Sequence, residues 1–336
     1  MRSAIKAAVR FALHELHGIS VPRSRNTQPR ILVYHDFPDT SEARHSLEQQ
    51  CAYIRRHYDP VTMDEMVDGL KSGHLAPRSV AITVDDGYRD FLDVAYPVFR
   101  AHNLPVTVYL ISDFLDGKWM WWDRIAYSIK TTEKKRITFL ANGVRYDYDT
   151  RTVQPMAEIV EPVKQLPDSQ RREFVERIQQ EAQVDLPPST LAMNWDEVRH
   201  LMAGGVSFGA HTRSHPILSR VESALDLELE VSASCKRVEE ETGASVLHFC
   251  YPNGMEEDVD SQVADVVRQS GLSSAVTSIG GFNTPHSDLF ALRRTGVDVP
   301  MSQPYFCELL AGLHDPPDTR EPVRLKESQK RSAAGN

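Results

Sequence analysis

Val80-Ala81-Ile82-Thr83-Val84-Asp85-Asp86-Gly87 runs five apolar or β-branched residues straight into two carboxylates and a glycine. A short apolar run without polar alternation reads as a strand buried on both faces, as in parallel sheets. The same arrangement recurs on either side of it. Ile31-Leu32-Val33-Tyr34 leads into His35-Asp36, Val206 to Ala210 into His211, Val246 to Cys250 into Tyr251-Pro252-Asn253-Gly254, and Phe290-Ala291-Leu292 into Arg293-Arg294. Val106 to Ile111 and Ser274 to Thr277 read as further strands. Helical patterns lie between them at 89–102, 195–203, 222–242 and 258–270, several ending in glycine as helix C-termini prefer. One segment is ambiguous. Leu225, Leu227, Leu229 and Val231 alternate like a strand, but Leu227, Val231, Cys235 and Val238 continue at helical spacing to Gly243, so the segment reads as helix. Alternating β and α elements predict a parallel sheet or barrel. In an α/β barrel the polar residues that follow the strands would converge on one mouth.

The rhythm breaks at 112–194, which reads as an inserted α+β segment with a Trp-rich stretch, a hairpin about Asn142-Gly143 and a charged helix at 168–182. The barrel itself is expected over 30–314. Residues 1–29 are expected to form an N-terminal helix and linker, with Ile5, Val9, Ala12 and Leu16 on one stripe and Arg2, Lys6 and Arg10 on another. That basic amphipathic face is read first as packing on the body and second as a peripheral membrane contact. Residues 315–336 are polar, without periodicity, and expected to be disordered.

Composition narrows the function. The chain of 336 residues carries 38 Lys and Arg against 47 Asp and Glu, a net charge of -9, so no net field draws it to nucleic acid. The four cysteines are far apart, without a C-x-x-C pair, which suggests neither a zinc knuckle nor a disulfide framework and fits a reducing compartment. Charged residues interrupt the N-terminal apolar stretch, so no secretory signal is read there, and action in the cytoplasm or at the inner face of the membrane is expected. Oligomeric state is not legible.

His211-x-x-x-His215 alone is a weak signal, and Pro216 favours a loop over a helix. Asp-Asp-Gly alone is ordinary turn chemistry. Brought together at neighbouring strand ends, two imidazoles and one carboxylate make a three-ligand site that leaves positions open for water and substrate, as catalytic metals require.

Three motifs in order give the chain a family likeness. Thr83-Val84-Asp85-Asp86-Gly87, His211-Thr212-Arg213-Ser214-His215-Pro216 and Phe249-Cys250-Tyr251-Pro252-Asn253-Gly254 resemble the three motifs of the polysaccharide deacetylases of carbohydrate esterase family 4, the NodB-homology domain. The resemblance implies an α/β fold, a distorted (β/α) barrel of about seven strands. It implies a divalent metal, with zinc the first choice among first-row ions, held by Asp86, His211 and His215. Asp85 would be the general base, and a backbone N–H near Asn253 an oxyanion donor. The partner expected is an N-acetylated polysaccharide or oligosaccharide, or a lipid-linked precursor, from which acetyl groups are removed.

Two departures follow. Cys250 stands where the family carries an Arg that holds the catalytic Asp, and Arg294 is the candidate replacement by position. The family's late Leu-x-Leu-His motif has no counterpart, leaving the leaving-group acid open between His35, favoured by its place after the first strand, and His314. Tyr251, Asn253 and Trp121 are assigned to substrate and oxyanion contact, although the Trp119–Trp122 stretch reads foremost as an anchor. Cys250 reads as a small buried residue. The competing readings are a deformylase or another amide hydrolase with the same site, and a carbohydrate-binding protein that has lost turnover.

Overall fold

A computed structural model describes residues 28–317, 319, 321–323 and 325–328; the expected N-terminal helix lies outside them. Arg30–Tyr34 (β1), Ser79–Val84 (β3) and Val106–Leu110 (β4) are buried along their whole length. With Asp59–Pro60 (β2), Ser207–Ala210 (β7), His248–Cys250 (β8), Ser274–Val276 (β9) and Thr295–Gly296 (β10) they form one parallel sheet. Its order is β10-β1-β3-β4-β7-β8-β9, seven strands with the short β2 added beside β3. The sheet curls until Leu289–Gly296 reaches both edges. The Ala275 amide donates to Leu289 and that of Leu292 to Ala275 on the β9 side, while Thr295 pairs with Leu32 of β1.

Alternation along each strand divides the core in two. Leu32, Ile82, Val108, Phe249 and Ala275 face out to the helices, where they join the main apolar cluster. Ile31, Ala81, Tyr109, Cys250, Val276 and Leu292 belong to a separate inner cluster closed by Met63, Met66, Val67 and Leu70. Those four residues are one face of α2 (Met63–Ser72), whose start is fixed by a reciprocal Thr62–Glu65 capping box. Gly209 is required inside the curl, because a Cβ there would lie 2.6 Å from the Tyr109 ring and from the His248 carbonyl.

The outer helices are α1 (Ser41–His57), α3 (Tyr96–Ala101, preceded by one π turn over Phe91–Ala95), and four more named below. The inserted segment holds α4 (Trp121–Thr131), the antiparallel pair β5 (Arg136–Ala141) and β6 (Val144–Asp149), and α5 (Asp168–Ala182). Asn142 and Gly143, at φ of 54° and 73°, make the turn between β5 and β6, as two-residue hairpin loops prefer. Ile125, Phe139, Ile159, Phe174 and Ile178 give this segment an apolar cluster of its own. Then come α6 (Trp195–Ala203), α7 (Ala224–Thr242), α8 (Ser261–Gln269) and α9 (Gln303–Leu310). The ambiguous stretch is the helix α7, with Leu227 and Val231 buried and Leu225 and Leu229 exposed.

The expectation of disorder from 315 onward does not hold for the described part. Asp315 accepts two hydrogen bonds from buried Arg30, at 2.9 and 2.6 Å, and Lys326 bridges to Asp260. Composition alone did not register that a buried guanidinium on β1 needs a carboxylate. No described helix is long and apolar enough to cross a membrane.

Candidate active site

The alternation that points Ala81 and Thr83 into the barrel also points Asp85 inward, just past the end of β3. Its side chain is 2% exposed, and Arg294 meets it with both terminal guanidinium nitrogens, each at 2.7 Å. Arg294 is itself buried and spends its other donors on the Thr277 carbonyl at 2.7 Å and the Thr83 hydroxyl at 3.2 Å. Burial, the largest single influence, would raise the Asp85 pKa, but the Arg294 charge, the hydrogen bonds from His35 and Arg294 and the His35 charge together outweigh it and hold the carboxyl well below its usual range. The position-based expectation for Arg294 thus meets a bidentate pair. Cys250 sits against the same pair, its sulfur 3.4 Å from Asp85 Oδ2 and 3.2 Å from Arg294 Nη2. Burial pushes this thiol up, so it stays protonated.

The backbone turns sharply after Asp85. Asp86 has φ of 73°, in the left-handed region, and this sends its carboxylate sideways along the mouth. Oδ1 of Asp86 lies 3.4 Å from His211 Nε2 and 3.7 Å from His215 Nε2. These separations are too long for strong hydrogen bonds. They are close to the ~3.4 Å expected between two ligands of a tetrahedral ion with bonds of about 2.1 Å. His211 donates Nδ1–H to the Cys250 carbonyl at 2.8 Å, which turns Nε2 toward Asp86, the usual way a ligating imidazole is oriented, and although burial would lower its pKa, the surrounding Cys250, Asp86 and Asp85 raise it while no cation is bound. His215 Nδ1 is buried without a partner, and burial together with neighbouring His211 pushes that ring down to about 3. A neutral imidazole is what a cation needs. The donor set therefore fits a divalent cation, and among the described residues a second group that meets the same test, Asp85, His211 and Cys250, shares one imidazole with it. Asp85 in that second group is already taken by Arg294.

The loop carrying His215 is built on a residue that the sequence did not flag. Glu230, buried on α7, accepts the amides of Arg213 and Ser214 at 3.0 and 2.9 Å and the Ser214 hydroxyl at 2.7 Å. The His215 amide donates to Thr212 Oγ1 at 3.0 Å. A lone Glu on the apolar face of a helical pattern was the available signal. On the other side of the mouth, buried Phe37 fixes the turn after β1, with its amide donating to Asp90 Oδ2 at 2.8 Å.

His35 stands at the mouth with its side chain half exposed and Nε2 3.4 Å from Asp85 Oδ2. Its burial in the mouth would lower its pKa, yet the hydrogen bond to Asp85 and the charges of Asp85 and Asp86 raise it overall. His314 is elsewhere, its ring against Tyr305 and its Nε2 3.1 Å from Glu308. Asn253, at φ of 58°, lines the cleft, and its amide donates to no other backbone group among the described residues. Gly254 follows at φ of 67°, where a Cβ would sit 2.9 Å from the Ser278 amide.

One assigned contact is corrected. Tyr251 follows the outward parity of Phe249, is buried, and donates its hydroxyl to the Phe290 carbonyl at 2.9 Å, so its side chain does not reach the cleft. Trp121 borders the cleft but is buried and donates its indole N–H to the His215 carbonyl at 3.3 Å, in keeping with the anchor reading. Its neighbour Trp122 presents itself with Tyr88 on the cleft wall, its N–H donating to the Tyr88 hydroxyl at 2.7 Å.

The whole cleft measures about 590 Å³ and extends beyond the mouth between Met156 to Gln165 of the insertion and Asn253 to Asp258. The family model described as polysaccharide deacetylase matches residues 72–275. A search of curated proteins found no match. Among solved structures, a Streptococcus pyogenes deacetylase, PplD, in complex with acetate aligns over 84% of this chain and 97% of its own, with a TM-score of 0.57 and 16% identity. IcaB from Ammonifex degensii aligns over 85% and 97%, with 0.56 and 18%. The deacetylase domain of BpsB from Bordetella bronchiseptica aligns over 81% and 96%, with 0.51 and 19%. At these identities the structural likeness is one of fold.

Proposed function

The chain belongs to the polysaccharide deacetylase family, and from that premise we propose that it is a zinc-dependent hydrolase that removes N-acetyl groups from the amino sugars of a bacterial polysaccharide or its precursor. The observation that carries this reading is the pairing, at one mouth, of a buried carboxylate held by Arg294 with the convergent donor set Asp86, His211 and His215. A divalent cation held by Asp86, His211 and His215 would make a water acidic and share the negative charge that develops on the amide oxygen.

The remaining work falls to the chain's own groups. Asp85 accepts the proton of the attacking water as its oxygen bonds to the carbonyl carbon. Arg294 keeps Asp85 ionised at neutral pH and fixes both its oxygens, so the base has one orientation. The Asn253 amide donates to the carbonyl oxygen as that atom takes up charge. His35 then gives its proton to the leaving nitrogen, the C–N bond breaks, and acetate and a free amine result. Because His35 Nε2 lies 3.4 Å from Asp85 Oδ2, the proton taken by Asp85 restores His35 for the next turnover. The buried Cys250 thiol, protonated and blocked by Arg294, is no competing nucleophile.

The test is acid release from N-acetylated and N-formylated glucosamine oligomers by the metal-free and zinc-loaded protein. Zinc-dependent acetate release in excess of formate is expected. Formate alone would replace the scissile group, and no acid from either would remove the hydrolase reading.

A further inference from the structure

Neither imidazole nitrogen of His215 is hydrogen-bonded in the way that fixes His211. Nδ1 of His211 is tied to the Cys250 carbonyl, whereas Nδ1 of His215 is buried and partnerless. The direction of the His215 ring therefore depends on its backbone and on the rings packed around it. That backbone is unusual, with Thr212 and His215 at φ of 64° and 56°. Its amide side is held from within the barrel, by Thr212 and by Glu230 on α7. Its carbonyl side is held from the insertion, by the indole N–H of Trp121 at the start of α4. Trp122, the next residue, sets its ring edge-on to the His215 imidazole with centroids 4.8 Å apart.

Trp121 is fixed in turn. The Arg171 guanidinium lies over its ring at 5.1 Å, and Arg171 is bonded to Asp168 at 3.0 Å, both charges being buried on α5. A continuous path thus runs from the packed interior of the insertion, through Asp168, Arg171 and Trp121, to the backbone of one candidate cation ligand.

We propose that Trp121 is a positioning residue through which the 112–194 insertion clamps the His215 loop and sets the affinity of the cation site. The inference rests on the proposed cation reading and gives the insertion a second task besides walling the cleft.

The experiment measures zinc affinity by competition with a chelator for wild type, Trp121→Phe and Trp119→Phe. Trp119 is the internal control, because its indole N–H also donates to a carbonyl, that of Pro187 at 2.7 Å, at an exposed position. Loss of the Trp121 N–H should weaken zinc binding ~3–10-fold, the range one neutral hydrogen bond spans, while Trp119→Phe leaves it unchanged. Excess zinc should restore kcat in Trp121→Phe with KM for the acetylated oligomer unmoved. Wild-type zinc affinity in Trp121→Phe, or an equal loss in both variants, overturns the clamp and leaves the deacetylase reading intact. A wild type that binds no zinc overturns the cation reading as well. Should Trp121→Phe not fold, Arg171→Lys carries the test, with weakened zinc binding expected and unchanged affinity overturning it.

Discussion

Asp85 and Arg294 are separated by most of the chain yet share two hydrogen bonds at buried positions. Removing either partner would leave the other charged and buried, which typically costs ~3–5 kcal/mol, so neither position tolerates an apolar residue. Asp85, Asp86 and His211 were legible because each follows directly on the end of a strand, and His215 through its spacing from His211. Arg294 was legible only as a strand-end cation, since nothing in a linear sequence says which carboxylate it meets. Tyr251 was misread although the information was present, because a residue adjacent to inward-facing Cys250 must face outward. At this scale the pH profile is decided by His35. Its pKa is raised above the ordinary 6.5 because hydrogen bonding to Asp85 and the nearby carboxylate charges outweigh burial. The acid form therefore persists to higher pH than in free histidine and is lost as pH rises through the raised value. The expected outcome is a kcat that falls on the alkaline side in the wild type, and a His35→Gln variant that is slower by ~10²-fold or more at neutral pH and lacks that limb. Steady-state rates across the pH range check both.

Elements place the site by alternation and by capping. The strand α7 imitates in sequence is a helix because Leu227, Val231 and Val238 need one buried stripe, and this puts Glu230 beneath the 212–215 loop. The same pattern could not reveal that a buried glutamate would be satisfied by the amides of a loop that precedes it in sequence. Glu230→Ala should therefore cost ~1–3 kcal/mol in urea unfolding, with weakened zinc retention, because three donors lose their acceptor. Glu228→Ala, exposed on the same helix, should change neither. The insertion shows the converse. Its hairpin and its helix at 168–182 followed from Asn142-Gly143 and from helical periodicity, whereas its grip on Trp121 and His215 depends on tertiary contacts that periodicity does not encode.

The whole molecule is a curled parallel sheet whose two edges are joined by Leu289–Gly296, so the strand ends are brought round to a common mouth. The βα rhythm made that architecture legible, while the closing segment was read only as a short run ending in arginines. The described part of the segment after 314 was misjudged because Asp315 is held by Arg30, at the far end of the chain. Asp315→Ala should lower stability by ~1–3 kcal/mol through loss of hydrogen bonds to a buried charged group, measured as a shift of the urea midpoint at constant slope. A silent substitution would return that tail to the disordered class. The central claim is that this assembly delivers Asp85 as the base beside a cation it does not bind. It is tested most directly by zinc content and acetate release from N-acetylglucosamine oligomers in wild type and Asp85→Asn. The account predicts that Asp85→Asn retains zinc and loses acetate release by ~10²-fold or more. Wild-type turnover by Asp85→Asn, or wild-type release that persists after zinc is stripped, would contradict it.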